Sequence, residues 1–118
     1  MEIVSFEIAK KLKEKGFNEV CYDYYEPLKH CLNQIKTPWT NKEGESYGVI
    51  TAPTISQVLK WLREEKKIYV SVEVEREDWF EYKIVQTIKN TRSTGTRVYE
   101  TYPEAILAGI EYVIDNLI

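Results

Sequence analysis

Two cysteines and the only histidine, Cys21, His30 and Cys31, are the residues with the most reactive side chains. Thiolates and imidazole bind zinc, and a cysteine beside a histidine can be a nucleophile. A structural zinc site needs four ligands, so Asp23 or Glu26 would have to complete it. Adjacent His30 and Cys31 are poorly placed to hydrogen-bond each other, which leaves Cys21 as the nucleophile candidate. We therefore predict packed or exposed residues here, with no metal, no cofactor and no catalytic residue.

A second candidate for chemistry is a group of carboxylates, since divalent-ion sites and glycosidases both use convergent carboxylates. The group comprises Glu73, Glu75, Glu77, Asp78 and Glu81. The alternation of the sequence around them places three on the polar face of a predicted hairpin and two in its turn. Solvated carboxylates in such positions keep a sheet soluble. Sequence signatures of phosphate-binding loops, zinc proteases and serine hydrolases are also missing, so we predict that the protein is not an enzyme.

The elements that position these residues follow from the spacing of apolar side chains. Helical spacing and end signals predict a helix over 5–15, and a β-branched and aromatic run predicts a strand over 20–25. Residues 26–48 contain prolines, glycines and a polar run, which indicates a long loop or a hidden hairpin. The segments CLNQIK and SYGVIT are the candidate strands. If the segment is a loop, we expect it to be the variable, functional part.

The second half of the sequence is more regular. A capping box at Thr54 predicts a helix over 55–66, and period-two alternation predicts antiparallel strands over 68–75 and 79–89. Phe80, Tyr82, Ile84 and Ile88 are predicted on one face of the second strand. A short third strand carrying Val98 and a final helix after Thr101 complete the order. The prediction is one α+β domain of 118 residues. It has an N-terminal helix and strand, followed by α-β-β-β-α with the helices on one face of an antiparallel sheet.

Two groups of apolar side chains exceed what the predicted core can bury, and they indicate an interaction surface. Four side chains lie on the predicted sheet face that turns away from the helices, among charged residues: Tyr69, Trp79, Val85 and Tyr99. The last helix is apolar over more than half of its circumference, and three residues form a shoulder beside its main stripe: Leu107, Ile114 and Ile118. Such a surface is either covered or it binds something. We expect residues 1–50 to cover the sheet face, or else a second copy or another partner. The shoulder packs either on the helix over 55–66, where Trp61 could cover it within one chain, or on a second copy, and we favour the homodimer.

Charge and hydropathy limit the classes of partner. The sequence has 16 Lys and Arg against 19 Asp and Glu, a formal net charge of −3. Proteins that bind nucleic-acid backbones need several clustered cations, so this balance disfavours nucleic acid. The start of the sequence reverses the charge order of a signal peptide, and no apolar run approaches the roughly 20 residues that cross a bilayer. We expect a cytoplasmic protein with reduced thiols and no membrane partner.

Nucleic acid nevertheless supplies the alternative function, because α-β-β-β-α is the topology of double-stranded-RNA-binding domains. Those domains present a basic cluster to the phosphates at the start of their last helix. Here that position holds Tyr102, Pro103 and Glu104, and no Lys or Arg occurs between Thr101 and Ile118. The phosphate contacts of those domains could not form there.

Several segments together carry a family resemblance. They are Gly16-Phe17, Ala52-Pro53-Thr54, Gln57-Val58-Leu59-Lys60-Trp61-Leu62-Arg63-Glu64, a strand beginning at Ile68, Trp79-Phe80-Glu81-Tyr82, Glu104-Ala105 and Ala108-Gly109-Ile110. With these residues the chain resembles a group of small uncharacterised proteins of bacteriophages and mobile elements of anaerobic gut bacteria. The resemblance implies a cytoplasmic accessory protein and carries no catalytic residue. We therefore expect a non-enzymatic interaction module that docks on a host or element-encoded protein.

Overall fold

The chain folds as two units, each with helices and its own three-stranded antiparallel sheet. In this computed structural model, residues 2–26, 31–77, 79–95 and 97–118 are described, apart from the side chains at 31–37, 46, 75 and 93. The first unit is Met1–Ile55 and the second is Ser56–Ile118. The predicted α+β class is confirmed, whereas the prediction of a single domain stays a prediction.

The first unit is built from two helices and three strands. They are α1 (Phe6–Glu14), β1 (Cys21–Glu26), β2 (Cys31–Trp39), α2 (Asn41–Gly44), with a 3-10 turn at Glu45–Tyr47, and β3 (Ile50–Thr51). Helix α1 begins where the Ser5 hydroxyl accepts a hydrogen bond from the Ile8 amide at 3.3 Å. It ends before Gly16, whose φ of +90° is a left-handed conformation that favours glycine.

The sheet of the first unit has the strand order β2-β1-β3. The hidden-strand alternative for residues 26–48 is the one that the structure shows, since β2 pairs antiparallel with β1 and contains the CLNQIK segment. Strand β3 takes only the end of SYGVIT. The Tyr25 hydroxyl donates to the Val4 carbonyl at 2.6 Å, and both residues are buried. This bond fixes the chain ahead of α1 to the central strand.

The second unit contains three strands and two helices, the first of which begins at Ile55, the last residue of the first unit. They are α3 (Ile55–Trp61), which continues in a π-helical turn at Leu62–Lys66, β4 (Ile68–Arg76), β5 (Trp79–Gln86), β6 (Thr91–Thr94) and α4 (Tyr102–Asn116). The Thr101 hydroxyl accepts from the Glu104 amide at 3.3 Å, which places the predicted cap at the start of α4. The strand order is β4-β5-β6.

One face of the second sheet carries α4. Val70 lies opposite Ile84 and Val72 opposite Tyr82, so these four side chains share a face, as the alternation predicts. A Cβ atom on Gly109 of α4 would lie 2.9 Å from Val70 Cγ1 and 3.0 Å from the Tyr82 Cβ. The helix therefore approaches the sheet as closely as it does because residue 109 has no side chain.

The end of β5 differs from the prediction of a strand to residue 89. The strand ends at Gln86, and the chain turns at residues 87–90, where Asn90 has a left-handed φ of +51°. Asparagine tolerates that conformation better than most residues. The turn removes Ile88 from the predicted strand face and leaves it 80% exposed.

The third strand also lies elsewhere than predicted. Strand β6 occupies Thr91–Thr94, within the polar link, and pairs with β5 from Lys83 to Gln86. Val98 is not in β6 and is exposed, and its neighbour Tyr99 forms an isolated antiparallel bridge with Phe80. Propensity missed β6 because its residues are polar, and the strand exists through its pairing with β5.

Candidate functional site

Three of the predicted surface residues share the face of the second sheet opposite α4. Tyr69 lies directly opposite Val85, and both alternate with the helix-facing residues. The Trp79 indole donates to the Glu81 carboxylate at 2.9 Å, which places Trp79 on the same face. Tyr69 is exposed, and Val85 and Trp79 are half-buried.

The polar side chains of this face bond to one another. The Arg76 guanidinium lies 4.3 Å from the centre of the Trp79 ring, and the Lys83 ammonium contacts the Glu73 carboxylate at 2.7 Å. These contacts account for two of the predicted carboxylates, Glu73 and Glu81; the Glu75 side chain and Asp78 lie outside the described residues. Because the charges are paired locally, the face resembles an ordinary solvated sheet surface.

The predicted position of Tyr99 is wrong. Its bridge with Phe80 places it on the face that carries α4, because directly opposed residues of an antiparallel pair point to the same side. There the Tyr99 ring lies 6.4 Å from the Tyr82 ring, which is also 6.1 Å from the Tyr112 ring. Burial raises the pKa of the Tyr82 hydroxyl, and the two neighbouring hydroxyls raise it further. The Tyr82 hydroxyl is therefore protonated at neutral pH, where its ring packs against the other two.

The predicted shoulder of α4 is interrupted. Leu107 and Ile118 are half-buried, but Ile114 is only 1% exposed within the single chain. Ile114 is one of the buried residues of α4. The prediction of a continuous surface stripe through Leu107, Ile114 and Ile118 is therefore wrong.

Cys21 lacks the properties of a nucleophile. It is fully buried, and its thiol lies 3.5 Å from the Glu19 carbonyl, to which it donates. Burial raises the pKa of the Cys21 thiol to about 11, although the Thr51 side chain opposes part of the shift. The reactive thiolate is therefore scarce at neutral pH. His30 and the Cys31 side chain lie outside the described residues, and the described part of the chain contains no cluster of three or more potential metal ligands.

The most distinctive surface lies on the first unit, where three aromatic rings contact one another in a row. The Trp39 and Tyr47 rings are stacked, with centroids 4.6 Å apart and an interplanar angle of 8°. The Tyr24 ring also contacts Trp39, with centroids 5.6 Å apart and an interplanar angle of 46°. Tyr47 is 67% exposed, and Tyr24 and Trp39 are half-buried. We call Tyr24, Trp39 and Tyr47 the aromatic ladder.

Helix α2 positions the ladder, because it separates Trp39, the last residue of β2, from Tyr47. The helix begins with a complete capping box: Thr40 Oγ1 accepts from the Glu43 amide at 3.3 Å, and the Thr40 amide donates to Glu43 Oε1 at 3.0 Å. The turn after it ends at Gly48, whose φ is +66°. The short helix returns the chain so that Tyr47 lies against Trp39.

Asn41 anchors this helix to the rest of the unit. Its amide nitrogen donates to the Phe17 carbonyl at 2.7 Å, and its amide oxygen accepts from the Thr51 amide at 2.9 Å. Both bonds are buried. The Lys42 amide also donates to Asn18 Oδ1 at 2.9 Å. The base of the ladder is therefore bonded both to the chain that follows α1 and to β3.

Sequence reasoning missed the ladder, although one signal for it was present. Thr40-Asn41-Lys42-Glu43 has the pattern of a capping box and marks the start of a helix within the supposed loop. A helix there predicts that the chain returns towards the end of β2. That return places Tyr47 near Trp39.

Comparisons with protein-family models, with curated proteins and with solved structures find no match. In the part of the chain that the structure describes, no helix has both the length and the apolar character needed to span a membrane.

Proposed function

We propose that this protein is a non-enzymatic interaction module that binds a partner polypeptide through the aromatic ladder. The supporting observation is the exposed stack of Trp39 and Tyr47, with Tyr24 beside it. Following the family resemblance, the proposal places the module in the cytoplasm, as an accessory protein of a phage or mobile element that docks on a host or element-encoded protein.

The chemistry of the three rings favours a polypeptide ligand. Tyr and Trp are enriched at protein interfaces and among the residues that carry most of the binding energy, because they bury a large area with few rotatable bonds. In the ladder, both Tyr24 and Tyr47 already contact the Trp39 ring. Little side-chain entropy remains to be lost on binding. We therefore expect a segment that places a proline or aromatic ring against the ladder.

Charge on the same elements disfavours nucleic acid as the ligand of the ladder. Strand β1 carries Asp23 and Glu26 and no Lys or Arg, and the 3-10 turn that contains Tyr47 begins with Glu45. Aromatic platforms that bind single-stranded nucleic acid lie in positively charged grooves. A protein segment has no comparable density of negative charge to be repelled by these carboxylates.

A random peptide library displayed on phage, selected against the immobilised protein, tests the proposal. Enriched peptides should carry a ring side chain, and Tyr47→Ala should weaken their binding in calorimetry at least about tenfold, which is about 1.4 kcal/mol. Tyr102→Ala is the matched control, since Tyr102 is an exposed tyrosine of α4 in the other unit. Equal affinity of wild type and Tyr47→Ala would reject the ladder as the binding surface.

Nucleic-acid association is the second candidate, and the second unit favours it by topology. Helix α3, the β4-β5-β6 sheet and α4 follow one another in the α-β-β-β-α order. The acidic start of α4, at Glu104, opposes it. A mobility-shift assay with double-stranded RNA separates the two candidates. A shift that weakens as salt increases would favour RNA, and unchanged mobility at low salt would favour the polypeptide partner.

Self-association, with a second copy of the chain as the partner, stays a prediction. Burial of Ile114 removes the centre of the predicted contact and leaves Leu107 and Ile118 as its half-buried ends. Sedimentation velocity at micromolar concentration tests it directly. A single species near 13.9 kDa would remove the homodimer from the proposal.

A further inference from the structure

An apolar side chain that the core does not use marks a second site, on the second unit. Ile88 is 80% exposed in the turn after β5. The turn is held without it, because the Thr87 amide and hydroxyl both donate to the Lys67 carbonyl at 3.2 Å. The Asn90 amide closes the turn onto the Thr87 carbonyl at 3.3 Å. Burial in the fold therefore does not account for an isoleucine at this position.

Ile88 borders a cavity of about 270 Å³, which we call the Ile88 pocket. Its lining consists of Lys66, Lys67, Ile68, Gln86, Ile88, Lys89, Leu117 and Ile118. The volume is close to the lower end of the about 300–1,000 Å³ typical of ligand pockets, which is enough for one large apolar side chain. Half of the lining residues are aliphatic, and three of the others are lysines.

The lining of the Ile88 pocket has three cations and no carboxylate side chain, in a protein whose formal charge is −3. Helix ends explain part of this, because cations near the last turn of a helix complement its exposed carbonyls. The Lys67 ammonium does so, donating to the Glu64 carbonyl at 2.9 Å, and the Lys66 ammonium lies 5.4 Å from the centre of the Trp61 ring. Lys89 belongs to neither helix end, since it lies in the turn.

We propose that the Ile88 pocket binds an apolar side chain of an acidic polypeptide segment. The apolar side chain would pack against Ile68, Ile88 and Leu117, and flanking Asp or Glu side chains would face the three ammonium groups. Such a ligand matches both kinds of lining residue, because the aliphatic side chains would bury apolar area against it and the lysines would lie near its opposite charges. The site lies within the second unit, so it does not depend on the aromatic ladder of the first.

The test is an amide chemical-shift titration of the whole protein by NMR with three synthetic peptides. The ligand peptide is acetyl-Asp-Glu-Leu-Glu-Asp-amide. The first control replaces its carboxylates with amides, as acetyl-Asn-Gln-Leu-Gln-Asn-amide, and the second removes the apolar anchor, as acetyl-Asp-Glu-Ser-Glu-Asp-amide. Only the ligand peptide should shift the amides of Ile88, Lys89 and Leu117 with measurable affinity, and raising the salt from about 50 to about 200 mM should weaken its binding.

Two variants assign the effect to the pocket. Ile88→Ser should weaken the ligand peptide about fivefold by removing the exposed aliphatic contact. Lys89→Glu should weaken it by a similar factor through charge reversal. Lys10→Glu, on the exposed surface of α1, is the charge-matched control and should leave the affinity unchanged.

Three results would overturn the proposal: no shifts around Ile88, equal shifts with all three peptides, or wild-type affinity in both pocket variants. None of them bears on the aromatic ladder, whose test depends on Tyr47→Ala in the first unit. Failure of the Ile88 pocket and failure of the proposed function are therefore separate results.

Discussion

Replacing Asn41 with alanine should destabilise the first unit strongly. The substitution removes the donor that serves the Phe17 carbonyl and the acceptor that serves the Thr51 amide, and both bonds are buried. Each buried backbone group left without a partner costs about 1–3 kcal/mol. The expected loss is therefore about 2–6 kcal/mol, a large part of the about 5–15 kcal/mol by which domains are stable.

Urea unfolding followed by circular dichroism measures this loss. With a slope of about 1–3 kcal/mol per molar urea, the midpoint of Asn41→Ala should fall by at least about 0.7 M. Lys42→Ala is the neighbouring control, because its exposed side chain can be removed while its amide still donates to Asn18. That variant should change the free energy of unfolding by less than about 0.5 kcal/mol.

Asn41→Asp separates the two hydrogen bonds. A carboxylate can still accept from the Thr51 amide, but it cannot donate to the Phe17 carbonyl. Because only the protonated acid can donate there, the fold raises the pKa of the introduced acid. The variant should therefore be unstable at neutral pH and regain stability as the pH falls and the acid becomes protonated. A loss below about 1 kcal/mol in Asn41→Ala would refute the reasoning that these bonds anchor α2.

Two further predictions concern packing and ionisation. Gly109→Ala should destabilise the protein by about 1–3 kcal/mol in the same urea assay. The added Cβ would lie only 2.9–3.0 Å from Val70 and Tyr82, and this crowding outweighs the gain of about 1 kcal/mol in helix propensity. A more stable variant would contradict the close approach of α4. Because burial raises the pKa of the Cys21 thiol from 9.0 to about 11, its contribution to stability is complete below pH 9 and is lost as the pH rises towards 11. Unfolding measured across that range should show a decline that Cys21→Ala reduces, and an unchanged decline would contradict the assignment to Cys21.

The parts of the fold that the sequence predicts are those determined by local chemistry. The caps at Ser5 and Thr101 and the alternation of β4 with β5 each depend on neighbouring residues, and all are present. Strand β6 was missed because polar residues form it by pairing with β5. The predicted face of Tyr99 failed for the same reason, since its bridge with Phe80 is a tertiary contact.

The candidate site shows the same division between local and long-range information. The residues predicted as a surface, such as Tyr69 and Trp79, follow from strand periodicity and are where it places them. The aromatic ladder depends on a helix of four residues and on the long-range bonds of Asn41, which periodicity does not detect. Only the capping box at Thr40 could be recognised from the sequence.

Locating a bound peptide on the protein shows directly whether the aromatic ladder is its binding surface. The measurement is the amide chemical-shift change of the whole protein on addition of the tightest peptide from the library selection. The largest changes should occur at Tyr24, Trp39 and Glu45–Tyr47, and they should be lost in Tyr47→Ala. Changes confined to the β4-β5-β6 sheet, or unaltered changes in Tyr47→Ala, would contradict the assignment of the ladder as the binding surface.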